Sequence, residues 1–235
     1  MFRFYRRSAY AVLSEVLMKH FVYLFSGVTA LSACSDFKTA SQLSKPQIIA
    51  LRTEPAGVTP GERARLIALT AGPNGIIATD ASWSLWSDAN ASIETDADES
   101  WLNIPDGADE QTVQLFAEVS LPENVLSGTK SVPVLGATHA NPVIVDVIVE
   151  GEPVPVGQAI RLSADQVADL DVETVPPAGD GARVTWYATI GEIELYRRTP
   201  TELLAPVEAE TGWLIVVFRD GNGGITWRSH PLIID

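Results

Sequence analysis

The chain has 235 residues, 46% of them hydrophobic, and carries 16 Lys or Arg against 30 Asp or Glu, which gives a formal net charge of −14. Phosphate backbones and anionic headgroups repel such a chain, which excludes nucleic acid as a partner and excludes membrane binding through a basic patch. A single cysteine excludes a disulfide framework, so the core must come from apolar packing.

Residues 1–33 have the composition of a secretory signal peptide. An apolar run from Phe21 to Leu31 follows Lys19 and ends in small residues. The run is shorter than the roughly 20 residues that a membrane-spanning helix needs. Met18 offers a second, more compact start of translation. In either case a signal peptide is removed and forms no part of the mature fold.

The motif Leu31-Ser32-Ala33-Cys34 resembles the lipobox of bacterial lipoproteins, in which a Leu and two small residues precede the Cys. In that family the Cys thiol takes a diacylglyceryl group, the chain is cut before the Cys, and the new amino group is acylated. The resemblance implies a mature chain with 12 basic and 29 acidic residues, a formal charge of −17, anchored by lipid at Cys34. Ser35 after the Cys favours the outer membrane by the same analogy. An ordinary cleaved signal followed by a free thiol is the alternative.

Residues 34–46 are small, polar and aperiodic after the Cys, which predicts a flexible tether. Beyond the tether, runs rich in Val, Ile, Leu and Trp alternate with turn residues and predict strands. The first group of runs comprises Ile48 to Arg52, Ala64 to Ala71, Ala81 to Trp86, Thr112 to Val119, Ser131 to Leu135 and Pro142 to Val149. The second comprises Ala159 to Ala164, Arg183 to Thr189, Ile193 to Tyr196, Glu202 to Leu204, Trp213 to Arg219, Gly224 to Arg228 and Leu232 to Ile234. No amphipathic helical pattern of three turns follows Cys34, so the predicted fold class is all-β.

The stretch from Glu150 to Pro155 interrupts the strand pattern. Pro153 and Pro155 stand at alternate positions, and two such prolines cannot both serve a central ladder. This predicts a stiff interdomain linker. We therefore predict one domain over residues 47–150 and a second over residues 151–235.

The two halves echo each other, because the pattern Gly-x-x-x-Arg-Leu-x-Ala begins at both Gly61 and Gly157. The second half also resembles the immunoglobulin-like and polycystic-kidney-disease-like β-sandwiches of bacterial surface proteins. The residues that carry this resemblance are Thr185-Trp186, Gly191, Ala205-Pro206, Gly212, Val217 to Gly221 and Gly223-Gly224. The first half is similar through Thr59-Pro60-Gly61-Glu62 and Trp83, with an acidic insertion from Asp88 to Asp109 that such domains do not need. The resemblance implies two tandem, disulfide-free immunoglobulin-like sandwiches and is silent on function.

The six Trp have two interpretations. Trp186 alternates with Val184 and Ala188, which predicts a core position between two sheets, and Trp83 is predicted to be its counterpart. The other four could fill the core or form an aromatic patch for carbohydrate or protein, and core filling is favoured for most of them: Trp86, Trp101, Trp213 and Trp227.

The sequence offers few candidates for catalytic or metal-binding residues. His139 and His230, the histidines outside the signal, are predicted in exposed turns, and the chain has no nucleophile elbow, zinc-protease motif or phosphate-binding glycine loop. We therefore predict no catalytic residue, no cofactor and no metal ligand. The acidic loop from Glu94 to Glu99 and the turn that starts at Asp220 invite calcium, but neither has the spacing of a calcium loop. We interpret them as a solvated loop, whose calcium binding stays open, and a tight hairpin.

These observations predict a non-enzymatic, membrane-anchored envelope lipoprotein whose domains act as a binding module or as a spacer. The predicted partner is a protein or a carbohydrate of the envelope. The alternative is a small envelope hydrolase, or an accessory protein that binds a solute or a glycan.

Overall fold

The computed structural model describes residues 40–86 and 90–235, which belong to one compact unit, Thr39–Asp235, and every regular element in this part is a strand. The strands of the first half are β1 (Gln47–Glu54), β2 (Arg63–Gly72), β3 (Gly75–Ile77), β4 (Ser82–Leu85), β5 (Ser92–Asp96), β6 (Glu99–Asn103), β7 (Gln111–Ser120) and β8 (Val125–Val134). Those of the second half are β9 (Val143–Val149), β10 (Glu152–Val154), β11 (Ile160–Leu162), β12 (Val167–Val175), β13 (Arg183–Ala188), β14 (Glu192–Ile193), β15 (Thr201–Leu204), β16 (Thr211–Arg219) and β17 (Ile225–Ile234). The described residues include no helix long and apolar enough to cross a membrane.

The first half forms two facing sheets. One has the order β1-β2-β6-β5, with β3 beside β2, and the other has the order β4-β7-β8. Strand β7 shows why they face each other, because Val113, Leu115, Ala117 and Val119 are all fully buried on one side. Trp83 packs partly buried against this core, as predicted.

The second half forms two sheets of its own, ordered β10-β9-β12-β15-β14 and β11-β17-β16-β13. Strand β11 runs parallel to β17, whereas the other pairs are antiparallel. Trp186 is completely buried between the sheets, and its Nε1 donates a hydrogen bond of 2.9 Å to the carbonyl oxygen of Arg198. The predicted core role of Trp186 is confirmed.

Both halves share the strand order of one fold. An immunoglobulin-like sandwich pairs its strands A, B, E and D in one sheet and C, F and G in the other. In the first half these are β1, β2, β6 and β5 facing β4, β7 and β8. In the second half they are β9, β12, β15 and β14 facing β13, β16 and β17. The chain is therefore a tandem of two immunoglobulin-like β-sandwiches, and the predicted fold class is confirmed.

The strand pairing places the boundary between the two sandwiches before β9, and not at residue 150 as the sequence predicts. Strand β9 pairs with β12 along most of its length, so it belongs to the second sandwich. The predicted linker is instead the β9–β10 hairpin, in which Glu150 and Gly151 have φ of 53° and 79°. Two positive φ values form the tight turn that suits the twist of paired strands. Pro153 fits because β10 lies at the sheet edge.

Part of the predicted flexible tether, the described residues 40–46, lies against the second sandwich. Gln42 bridges Ala188 on β13, and the N–H of Leu43 donates a 2.9 Å hydrogen bond to the carbonyl oxygen of Ala188. Leu43 is only 1% exposed. The outer strand β13 offers unpaired backbone groups, and Leu43 adds apolar burial, so this short stretch docks. Cys34, the predicted lipid site, lies outside the described residues.

The sequence echo between Gly61 and Gly157 does not mark equivalent positions. Its first copy leads into β2, whereas its second leads into β11. The equivalent feature is a turn over residues 59–62 and 163–166, in which the first N–H donates to the last side-chain oxygen, at 3.2 Å and 2.9 Å respectively. The third residue of each turn has a positive φ, 83° and 60°. Geometry repeats here where sequence does not.

The acidic stretch that the sequence assigns to an insertion contributes two strands of the first sandwich. Strands β5 and β6 form a hairpin around Ala97, and β6 pairs with β2. The acidic side chains of this stretch are mostly exposed on the hairpin, which hides its strand pattern. Residues 87–89 lie outside the described part of the chain.

Candidate ligand-binding cleft between the two sandwiches

The two sandwiches share a hydrophobic interface. Strand β16 is buried on both faces: Leu214, Val216 and Phe218 enter the core of the second sandwich, while Ile215 and Val217 point to the first. The buried residues of this interface are Leu43, Ile49, Ala50, Leu69, Ala71, Ile215, Val217 and Ile225, and those partly buried against it are Tyr187, Trp213 and Trp227. The sandwiches therefore pack sheet against sheet, with β1 and β2 against β16 and β17.

Gly75 shows how closely the interface fits. A Cβ at this position would lie 2.4 Å from the Trp213 ring, and the backbone there has a φ of 99°. Only glycine fits both restrictions. The β2–β3 turn can therefore approach Trp213 of the other sandwich.

A polar cluster closes one end of the interface. Asp220 Oδ1 accepts hydrogen bonds from the backbone N–H groups of Asn222 and Gly224, at 2.8 Å and 2.9 Å, and its Oδ2 lies 2.8 Å from Nε2 of His139. Burial acts to raise the pKa of Asp220, but the hydrogen bonds from His139 and from the two N–H groups together lower it. The carboxylate is therefore held in its charged form.

Two cations from different sandwiches cross the interface beside this cluster. Lys130 on β8 donates a 2.5 Å hydrogen bond to the carbonyl oxygen of Gly223, and Arg219 on β16 donates one of 2.9 Å to that of Ile49. Burial lowers the pKa of Lys130 to about 8. Each cation thus satisfies a backbone carbonyl of the opposite sandwich.

Next to the interface lies an open cleft of about 1050 Å³ lined by residues of both sandwiches and of the segment that joins them. This volume is at the upper end of those typical of small-molecule sites. The charged residues of its wall are Arg52, Glu54, Glu62, Arg63 and Arg228, and apolar surface comes from Pro55, Pro142, Val143 and Trp227. Arginines thus gather in a protein that is otherwise strongly acidic.

Arg52 is held in place on the cleft wall. Its guanidinium carbon lies 4.5 Å from the centre of the Trp227 ring, and its Nη2 lies 3.4 Å from Oε2 of Glu54. Burial lowers the pKa of Arg52, although an arginine stays charged at any physiological pH. Its Nε is buried without a hydrogen-bond partner in the described part of the chain.

The other charged residues of the wall differ in their partners. Arg63 stacks on Trp101, with its guanidinium carbon 4.2 Å from the ring centre. Glu62 Oε2 accepts hydrogen bonds from the Thr138 hydroxyl at 2.6 Å and from the Thr59 N–H, and these lower the pKa of Glu62. Arg228 has no ion-pair partner among the described residues.

The two histidines, the Asp220 turn and the acidic loop that the sequence singled out do not form one site in the structure. His139 is half-buried, forms an isolated β-bridge with Gly57 and contacts Asp220, so the prediction of an exposed turn is wrong for it. The prediction of an exposed His230 is wrong as well. His230 is 1% exposed because it lies on β17, where Nδ1 contacts the carbonyl oxygen of Gln158 at 3.0 Å and burial lowers its pKa. The Asp220 turn is the predicted tight hairpin. No group of three or more potential metal ligands occurs among the described residues, those from Glu94 to Glu99 included.

Sequence reasoning missed the cleft, because its residues come from four strands, β1, β2, β9 and β17, and from two loops that are far apart in the chain. The available signal was weak: Arg63 follows the turn at Gly61 and Arg228 follows Trp227, whereas Arg52 stands between Leu51 and Thr53 within β1. The four unassigned Trp do not form one patch. Trp213 and Trp227 pack in the interface, Trp101 stacks under Arg63, and Trp86 is exposed and contacts Phe116 edge-on.

No protein-family model matches the chain, and no curated protein matches it. The solved structures to which it is similar are tandem sandwiches. A chimeric titin Z1Z2-Z1Z2 tandem is 14% identical, with 81% of this chain and 99% of that chain covered and a TM-score of 0.32. The fibronectin(III)-like modules of CbhA from Clostridium thermocellum are 14% identical, with 81% and 94% covered and a TM-score of 0.31. The fold assignment itself rests on the strand order given above.

Proposed function

We propose that the protein is a non-enzymatic, lipid-anchored envelope lipoprotein whose two immunoglobulin-like sandwiches act together as one binding module. The lipid is attached at Cys34, and the outer membrane is the proposed location. The partner is a protein or carbohydrate of the envelope, and it occupies the cleft between the sandwiches.

The observation that carries the proposal is the cleft itself. Sandwiches that served only as spacers would need no shared wall of charged and apolar residues. Here the wall combines β1 and β2 of the first sandwich with β17 of the second. A concave surface with a few polar groups on apolar surroundings is the usual form of a binding site.

The proposal of an anchor rests on the sequence, through the lipobox resemblance at Cys34. Acyl chains add about 0.8 kcal/mol of membrane affinity per buried CH₂, so two or more chains hold a protein stably. The acidic surface could not supply such an anchor by attraction to anionic lipids.

Photo-crosslinking in cells tests both parts of the proposal. A photoreactive amino acid at Val143, which is 55% exposed on the cleft wall, should give a discrete adduct in the membrane fraction. The same amino acid at Val125, which is 60% exposed on β8 outside the cleft, is the matched control and should give none. The Cys34→Ala variant should leave the membrane fraction.

Equal adducts at Val143 and Val125, or none at Val143, would contradict binding at the cleft. Unchanged membrane partitioning of the Cys34→Ala variant would contradict the lipid anchor.

A further inference from the structure

We infer that the cleft binds an organic ligand through its carboxylate groups, with Arg63 and Arg228 as the contacting side chains. This inference rests on the proposed function, because it assigns a ligand chemistry to the same cleft. It adds a class of ligand, the organic acids, and the residues that recognise it.

The first observation is an excess of unpaired positive charge. Arg65 and Arg161, elsewhere on the surface, each lie within 3.2 Å of a carboxylate oxygen of Glu99 or Asp235. In contrast, neither Arg63 nor Arg228 has a carboxylate within 4.0 Å in the described part of the chain. Arg183, Arg197, Arg198 and Arg219 also form no ion pair in the described part of the chain. Arg63 and Arg228 differ from them in lining the cleft that both sandwiches share.

The carboxylates of the wall do not neutralise these two arginines. Glu54 lies against Arg52, and Glu62 accepts its hydrogen bonds from the Thr138 hydroxyl and the Thr59 N–H. Three arginines against two glutamates leave the wall with a net positive charge. A cleft with net positive charge raises the local concentration of anions.

The second observation is the fixed position of Arg52. Its guanidinium carbon lies 4.5 Å from the centre of the Trp227 ring, and its Nε is buried without a partner among the described residues, where a ligand in the cleft does not reach it. Arg52 therefore shapes the wall beside the two contacting arginines and does not itself bind the ligand through this atom.

The lining favours carboxylate over phosphate. Its cations are all arginines, whose planar guanidinium matches a planar carboxylate with two parallel hydrogen bonds. The two glutamates of the same wall would repel a doubly charged phosphate more strongly than a singly charged carboxylate. Pro55, Pro142 and Val143 supply apolar surface for the carbon skeleton of an organic acid.

The two arginines come from different sandwiches, since Arg63 begins β2 and Arg228 lies on β17. We therefore expect a ligand with two carboxylates to contact both. Such a ligand would bridge the sandwiches, and a ligand with one carboxylate would bind more weakly.

Isothermal titration calorimetry on the full chain in detergent micelles tests the inference. The probes are trigalacturonate, triglutamate and pyrophosphate, with maltotriose as the neutral control. We expect binding of trigalacturonate or triglutamate that weakens as salt rises, and no binding of maltotriose. Whichever of the two binds identifies the ligand as an acidic sugar or an acidic peptide.

Substitutions identify the site. Arg228→Gln should weaken binding at least tenfold, and Arg63→Gln should do the same. Arg161→Gln, which removes the same charge from an exposed pair with Asp235, should leave affinity unchanged. Circular dichroism should show all three variants folded, because none of these side chains is buried in the core.

Three results would overturn the inference: binding of pyrophosphate but of neither carboxylate, loss of affinity in Arg161→Gln equal to that in Arg228→Gln, or no binding of either carboxylate probe. A specific adduct at Val143 in cells together with such a result would retain the binding module and reject only its carboxylate ligand.

Discussion

At the scale of single residues, the second sandwich depends on Trp186. Its indole is completely buried between the sheets, and its N–H reaches the carbonyl oxygen of Arg198 at 2.9 Å, so the side chain fills space without leaving a polar atom unsatisfied. The sequence could predict this burial because Val184 and Ala188 share its face of the strand. It could not predict the hydrogen bond to Arg198, which lies in the loop between β14 and β15.

Removing this side chain should destabilise the protein strongly. Trp186→Ala should lower the free energy of unfolding by about 3–5 kcal/mol, as large-to-small core substitutions do. Trp86→Ala, at a position that is 66% exposed, should cost less than about 0.5 kcal/mol. Urea denaturation of both variants measures the difference. Equal, small losses would place Trp186 on a surface and favour a ligand-binding role for it.

Lys130 gives the stability of the protein a predictable pH dependence. Its pKa is about 8 in the folded state and 10.5 in the unfolded chain, so the unfolded state holds the proton more tightly. Stability should therefore rise with pH between about 8 and 10.5, by about 3 kcal/mol relative to the Lys130→Met variant. Urea denaturation of both proteins at pH 7, 9 and 10.5 measures this difference. A constant difference across that range would contradict a buried, destabilised charge.

At the scale of elements, β16 explains why two sandwiches become one body. Its apolar run from Trp213 to Phe218 is continuous, which indicates burial on both faces rather than one. The sequence therefore indicated the interface. A search for alternating apolar residues finds Leu214, Val216 and Phe218 and overlooks the residues between them.

Other strands were not predicted from the sequence because their polar side chains face solvent. Strand β12 alternates buried Ala168 and Leu170 with Asp169, Asp171 and Glu173, and its polar face resembles a loop in composition. The β5–β6 hairpin was hidden for the same reason. The prediction of a linker at residue 150 is wrong because the sequence does not distinguish a Pro in an edge strand from a Pro in a linker between domains.

The pairing of β9 with β12 predicts where the second sandwich can be cut. A fragment of residues 140–235 keeps β9 and should fold, whereas a fragment of residues 153–235 loses Ile144, Val147 and Val149 from its core and should not. Amide dispersion in NMR spectra distinguishes folded from unfolded. A well-dispersed spectrum for residues 153–235 would instead support the boundary that the sequence predicts.

The folded fragment provides a test of the interface as well. Ile215 and Val217 become exposed in it, so residues 140–235 should self-associate as concentration rises. The same fragment with Ile215→Thr and Val217→Thr is the control and should stay monomeric.

At the scale of the whole molecule, the packing of the sandwiches connects the fold to the proposed function. Two tandem sandwiches on a free linker would present two separate surfaces. The shared interface, the polar cluster around Asp220 and the docked residue Leu43 instead hold β1, β2 and β17 together, and these strands form the arginine-lined cleft. The cleft exists only while the sandwiches remain side by side.

Small-angle X-ray scattering of residues 40–235 tests this side-by-side packing most directly. A compact body of this length should have a radius of gyration of about 16 Å. Two sandwiches placed end to end, with centres roughly 40 Å apart, would give about 24 Å. We predict the smaller value and a distance distribution with one maximum. A radius near 24 Å with two maxima would contradict the shared interface and, with it, the binding cleft.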